Sequence, residues 1–229
     1  MTSKQKLLNT LVILVIIPLL IFIGVVFLKD RSFLLISILI ASFSFIPIYL
    51  SFEAKDIPTR RLVVLATLIA ISVIGRIIFA IVPGFKPVTA IVVISALYFG
   101  AEAGFFVGSL SALISNIFFG QGPWTPFQML AWGMLGFLAG LPFLRKRLRH
   151  NRFFLSLYGV FAGVVFSLMM DIWTTISLDG TFQWNRYIAL VGLSTPFMFL
   201  YALSNVVFLL LTIGPIGNTL TRLKKKYKI

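Results

Sequence analysis

Eight side chains in this sequence have a type and spacing suited to more than filling an oily helix. Arg76 and Asp171 are charges inside long apolar runs, Asn116 is an amide near the end of another, and Trp173 follows Asp171 by two residues. The stretch FFGQGPWTPFQMLAWG (118–133) adds Gln121, Trp124, Gln128 and Trp132. Amides, a guanidinium and a carboxylate offer hydrogen bonds, and indoles offer broad apolar faces with one polar edge. Such a set suits the holding of a solute. It is poorly suited to catalysis. The single histidine, His150, lies in RKRLRHNR with no acid beside it. Of six acidic residues only Asp171 lies well inside an apolar run, so neither a carboxylate pair nor a carboxylate metal centre is expected. The absence of cysteine removes thiolate nucleophiles and sulfur ligands, and no P-loop is present to hydrolyse ATP. Neither a metal nor a bound cofactor is therefore expected.

The elements that must position these residues are membrane helices. The 229 residues are 59% hydrophobic and only 11% charged, with a mean hydropathy of +1.05, where a soluble domain carries about a quarter charged residues. Apolar runs near the length needed to cross a hydrocarbon core about 30 Å thick recur throughout. Eight candidate spans emerge, at 7–28, 33–52, 62–82, 87–100, 103–119, 125–144, 153–177 and 186–213. Spans 87–100 and 103–119 are short and nearly contiguous, so a tight helical hairpin is expected there. The N-terminal run Leu7 to Leu28 is longer than a signal-peptide core and no small-residue cleavage site follows, so it reads as a retained helix. The polar linker EAKDIPTRR (53–61) separates an accessory two-helix hairpin, residues 1–61, from a six-span working unit, residues 62–229.

The basic residues set the expected orientation. With a cytoplasmic N-terminus, 15 lysines and arginines fall in inner segments and 4 in outer loops (Lys29, Arg31, Lys86 and Arg186), and Arg76 completes the 20. Both termini are thus expected to be cytoplasmic. The net charge of +14 then reads as topology, with RLKKKYKI lying against anionic headgroups, and not as nucleic-acid binding. Arg76 lies 14 residues from the inner end of its span, or about 21 Å, and Asp171 lies 18 from the inner end of its own, or about 27 Å. The polar residues therefore converge on the outer half, above an apolar inner half. Charges at such depth must be paired or solvated, so Arg76 and Asp171 are either site residues or an ion pair with each other. Trp124, Gln128 and Trp132 follow at i, i+4 and i+8, along one helix face below a proline-stiffened loop. Small-residue pairs that let backbones approach occur at Ala66/Ala70, Gly104/Gly108, Gly136/Gly140 and Gly159/Gly163.

Two stretches carry a family resemblance: ATLIAISVIGRIIFAIVPGFKPVTAIVVISALYFG (66–100) and AGFFVGSLSALISNIFFGQGPWTPFQMLAWGMLGFLAG (103–140). An A-xxx-A helix leading into G-R-x-x-F, a K-P loop and a glycine-ended helix resembles the substrate-binding S components of energy-coupling factor vitamin importers. The second stretch is similar to members thought to carry cobalamin. The resemblance covers about residues 62–215. It implies an all-α polytopic fold with a six-helix core, here extended by an N-terminal hairpin, in the cell membrane. It implies cobalamin or a related corrinoid as transported substrate, and the residues expected to bind it are those that depth and residue type single out: Arg76, Asn116, Gln121, Trp124, Gln128, Trp132, Asp171 and Trp173. Loops 82–87, 118–124 and 178–186 would act as lids. Ala66 and Ala70 would dock on a transmembrane coupling subunit that two ATPase subunits drive, the chain itself being non-catalytic. Alternatives left open by the residues themselves are an S component for another vitamin, a proton-coupled carrier using Asp171, and a membrane scaffold.

Overall fold

A computed structural model describes residues 3–23, 35–43, 46 and 59–227, and every regular element among them is helical. The chain begins with α1 (Ser3–Leu11), a π-helical turn (Val12–Ile16) and α2 (Ile17–Ile23), followed by α3 at 35–43. Val12, Ile13, Ile17 and Ile21 are buried along this first segment, and α2 touches the bundle. The rest of the expected N-terminal hairpin, including most of the linker at 53–61, lies outside the described residues.

The remaining seven helices are α4 (Thr59–Ile78), α5 (Val88–Phe99), α6 (Ala101–Phe119), α7 (Thr125–Gly140), α8 (Pro142–His150), α9 (Arg152–Asp179) and α10 (Trp184–Tyr227). In α4 the buried residues are Leu65, Leu68, Ile69, Ser72, Val73 and Arg76, a stripe at three- and four-residue spacing. Its other face, with Val63, Ile74 and Ile78, is exposed and apolar, as a lipid-facing surface must be. Helix α5 is different. All twelve of its residues are buried, so it forms the centre of the bundle, ringed by α4, α6, α7 and α10. At about 18 Å it is too short to cross a bilayer alone.

The expected hairpin of two short helices is present and turns at Gly100, whose φ of 100° favours glycine. Helices α6 and α7 then pack backbone against backbone. A Cβ on Gly104 would stand 2.5 Å from the Gly136 carbonyl oxygen, so only glycine permits this crossing. Among the described residues four helices have the length and composition to cross a membrane, or five if the bent pair α7 and α8 is one span. The fold is thus an all-α polytopic membrane protein.

Two expected spans differ from the observed elements. The run 125–144 is not one helix: Pro142 removes a backbone donor, and the chain bends by 81° at Leu141 into α8. The run 186–213 is only part of α10, which continues through the basic tail to 44 residues, about 66 Å. At one end of the bundle, which can be called the basic end, α5 is capped by cations from three helices. Arg145 Nε donates to the Leu97 carbonyl at 2.8 Å, Lys224 Nζ to Tyr98 at 2.8 Å, and an Arg61 Nη to Phe99 at 2.7 Å. Cations suit the negative end of the helix dipole, and they close the bundle there. The loops 82–87, 120–124 and 180–183 lie at the opposite, loop end.

Candidate functional site

Near the loop end a narrow cleft, with about 20 Å³ of free space, lies between the 82–87 loop and α5, α7, α9 and α10. Gly84, Lys86, Val88 and Thr89 form one wall, and Trp132, Phe166, Tyr201 and Asn205 form the others. The aromatic walls are ordered by each other. Trp132 and Phe166 stack with centroids 4.9 Å apart and an interplanar angle of 21°, and Phe166 meets Tyr201 edge to face at 5.3 Å. The loop is tied down by Ser204 on α10: the Lys86 N–H donates to its Oγ at 2.8 Å, and the hydroxyl donates back to the Lys86 carbonyl at 3.2 Å. Asn205 donates to the Gly159 carbonyl on α9 at 3.2 Å. Lys86 lies outside the spans, and its pKa is lowered by burial and by the nearby Arg76 charge. Larger grooves between α4 and α10 and between α9 and α10 are almost wholly apolar and lie on the outer surface of the bundle.

Of the eight residues expected from sequence, Trp132 alone lines this cleft. Arg76 stands directly behind it, with its guanidinium carbon 5.1 Å from the indole centroid and 4.8 Å from the Phe119 ring. Its Nη1 donates to Ser115 Oγ and, at 2.9 Å, to Asn116 Oδ1. Asn116 passes the connection on, its Nδ2 donating to Gln128 Oε1 and Thr125 Oγ1, each at 2.9 Å. The Thr125 hydroxyl donates to Gln121 Oε1 at 3.0 Å, and Gln121 Nε2 donates to the Leu113 carbonyl at 2.8 Å. Arg76, Asn116, Gln121 and Gln128 are therefore one network joining α4, α6, α7 and the 120–124 loop. It holds Trp132 and the loop in place from behind.

The other expected residues are placed elsewhere. Trp124 precedes the first turn of α7 and folds back over Gly122, where an added Cβ would meet its ring at 2.3 Å. Trp173 packs on Phe127 at 5.6 Å. Asp171 accepts a 2.6 Å hydrogen bond from Ser194, and no ion pair joins it to Arg76; the one salt bridge among the described residues is Arg186 to Asp179. The ion-pair expectation for Arg76 and Asp171 is thus corrected. Arg76 Nη1 and the Asp171 carboxylate find neutral hydroxyl or amide partners on adjacent helices, while Arg76 Nε has none. Ala66 and Ala70 are both exposed on the outward face of α4, beside the apolar α4/α10 groove.

Sequence reasoning missed Lys86 as a lining side chain, and Thr89, Phe166, Tyr201 and Asn205 altogether. Phe166 and Tyr201 carry no local signal, since aromatic residues are common in apolar helices. Ser204 and Asn205 did carry one: two adjacent polar residues in the apolar run YALSNVV require partners at that depth.

The fold is that of a helical membrane bundle with a small ring-lined, partly polar cleft at one end. Residues 56–222, most of the chain, match the model of a family described as ECF-type riboflavin transporter, S component. The chain belongs to that family, and it is a multi-pass membrane protein and a substrate-binding subunit of a vitamin transporter. The family's description names riboflavin, not the cobalamin that the resemblance implied. No curated protein and no solved structure matches the chain significantly.

Proposed function

We propose that this chain captures riboflavin from outside the cell and delivers it to a coupling module of the energy-coupling factor type. The observation that carries the substrate is the match of residues 56–222 to the riboflavin-type family, and the aromatic and polar lining of the cleft supports it. Riboflavin presents a flat tricyclic ring, and Trp132, Phe166 and Tyr201 give the cleft aromatic walls; since Trp132 and Phe166 stack on each other at 4.9 Å, the ring would lie against this cluster and not between the two. Its carbonyls, ring nitrogens and ribityl hydroxyls suit Lys86, Thr89 and Asn205. The free space between these walls is only about 20 Å³, so taking up riboflavin requires the 82–87 loop and the aromatic walls to move apart.

Cobalamin is the second reading. The amides of Gln121 and Gln128 that would meet a corrinoid's carboxamides are already engaged with Leu113, Thr125 and Asn116. Both termini are cytoplasmic in this proposal, because the basic end carries α8 and the end of α10, so the cleft faces outward. Release inside the cell follows when the exposed Ala66/Ala70 face docks on a transmembrane coupling subunit driven by two ATPase subunits. Small side chains there let a partner helix approach closely.

The test is direct. The purified chain is titrated with riboflavin and, separately, with cyanocobalamin, following quenching of flavin fluorescence and of intrinsic tryptophan fluorescence. Saturable one-to-one quenching by riboflavin, weakened in Phe166→Leu and Tyr201→Leu, is the expected result. A red, cobalt-containing preparation that ignores riboflavin would overturn the substrate. Uptake by the chain alone in liposomes under a pH gradient would overturn the coupling scheme.

A further inference from the structure

Helix α8 divides its cations between two jobs. Residues 141–156 (LPFLRKRLRHNRFFLS) hold five arginines and lysines and no acid. On the inner side Leu148 is buried, Arg145 caps α5, and the Arg149 guanidinium lies 4.4 Å from the Tyr98 ring centroid. Phe143, Lys146, Arg147 and His150 fall at i, i+3, i+4 and i+7, which puts all four on the opposite, exposed face. That face forms one wall of a cleft, and Asn151 and Phe154 at the start of α9 form the other.

Three features of this cleft point to a ligand at the membrane surface. Helix α8 turns 81° from α7, so it runs across the basic end of the bundle. Phe143 and Phe153 are exposed beside it, as apolar groups are at an interfacial helix. Arg147 is held between rings, 4.7 Å from Phe143 and 5.5 Å from Phe154, which orders its guanidinium without neutralising it. Neither the Lys146 nor the Arg147 side chain has a hydrogen-bond or ion-pair partner among the described residues. His150 Nδ1 donates to the Lys146 carbonyl at 2.9 Å, which leaves Nε2 available.

We propose that this cleft binds the phosphate of an anionic lipid headgroup, with Lys146 and Arg147 meeting its charge and Phe143 and Phe154 packing beside the glycerol and upper acyl chain. A planar guanidinium beside an ammonium matches a phosphodiester, and the aromatic walls match a ligand whose other end is apolar. The site is independent of which vitamin is carried. It would fix the depth of the bent α7–α8 segment relative to the bilayer.

The full-length protein in detergent is examined by native mass spectrometry during titration with phosphatidylglycerol or phosphatidylcholine of identical acyl chains. One phosphatidylglycerol is retained in preference to phosphatidylcholine. Lys146→Gln with Arg147→Gln weakens it roughly 25-fold, about fivefold for each cation lost. The control pair Lys225→Gln with Lys226→Gln, in the tail of α10, changes it less than about fivefold. Arg147→Lys, which keeps the charge, retains the lipid. Equal retention of the two lipids, equal loss in the control pair, or loss in Arg147→Lys overturns the assignment. So does displacement of the lipid by inorganic phosphate, which would mark a free-phosphate site.

Discussion

Replacing Arg76 by methionine separates the observed network from the ion pair that sequence alone suggests. In the structure this guanidinium donates to Ser115 and Asn116 and lies over two aromatic rings. Hydrogen bonds from a charged donor are worth about 1.5–3 kcal/mol each, although interhelix bonds in membrane bundles average nearer 0.6 kcal/mol. The ring contacts add about 0.5–2 kcal/mol. Against this stands the cost of burying a guanidinium whose Nε has no partner. The net loss on Arg76→Met is about 2 kcal/mol, much of it from the Asn116 oxygen left without its donor.

Double-mutant cycles by reversible unfolding in mixed micelles give the decisive numbers. Arg76→Met with Asn116→Ala couples by about 1 kcal/mol or more, and Arg76→Met with Asp171→Asn is additive within about 0.5 kcal/mol. Riboflavin titration of Arg76→Met is the second readout. Its affinity falls because Trp132 loses its support, whereas Asp171→Asn leaves it near wild type. Strong coupling to Asp171, with additivity toward Asn116, refutes the network and restores the ion pair.

Ala66→Trp and Ala70→Trp stand on an exposed face of α4, so both leave riboflavin binding of the isolated chain unchanged and abolish uptake by the complete transporter; normal uptake would remove the docking role. Gly104→Ala drives a methyl into the Gly136 carbonyl and lowers unfolding stability by about 1–3 kcal/mol, read as a fall in Tm in detergent. Lys86 gives a pH signature. Its folded pKa lies below 10.5 through burial and then Arg76, so between that lowered value and 10.5 the unfolded chain holds more protons. Stability therefore rises with pH across this alkaline window, and Lys86→Met flattens the slope of Tm against pH.

The all-helical membrane class was legible in the sequence because every crossing helix must satisfy its backbone internally and show lipid a long apolar run. The loop end was legible as the polar end for a related reason: Arg76, Asn116, Gln121 and Gln128 cannot be buried singly at such depth. The tight turn at Gly100 and the Gly104/Gly136 crossing were signalled by residue size. What sequence could not determine was which of these polar groups face a solute and which satisfy one another. That depends on interhelix distances of an ångström or two, and Arg76, Asn116, Gln121 and Gln128 proved to be mutual partners behind the cleft. Phe166, Tyr201 and Asn205 join Trp132 only because α9 and α10 fold back against α5 and α7, bringing together residues more than thirty positions apart. Likewise no residue type in α8 announces an 81° turn; Pro142 permits it, and the burial of Leu148 with the Arg145 hydrogen bond to the end of α5 holds it.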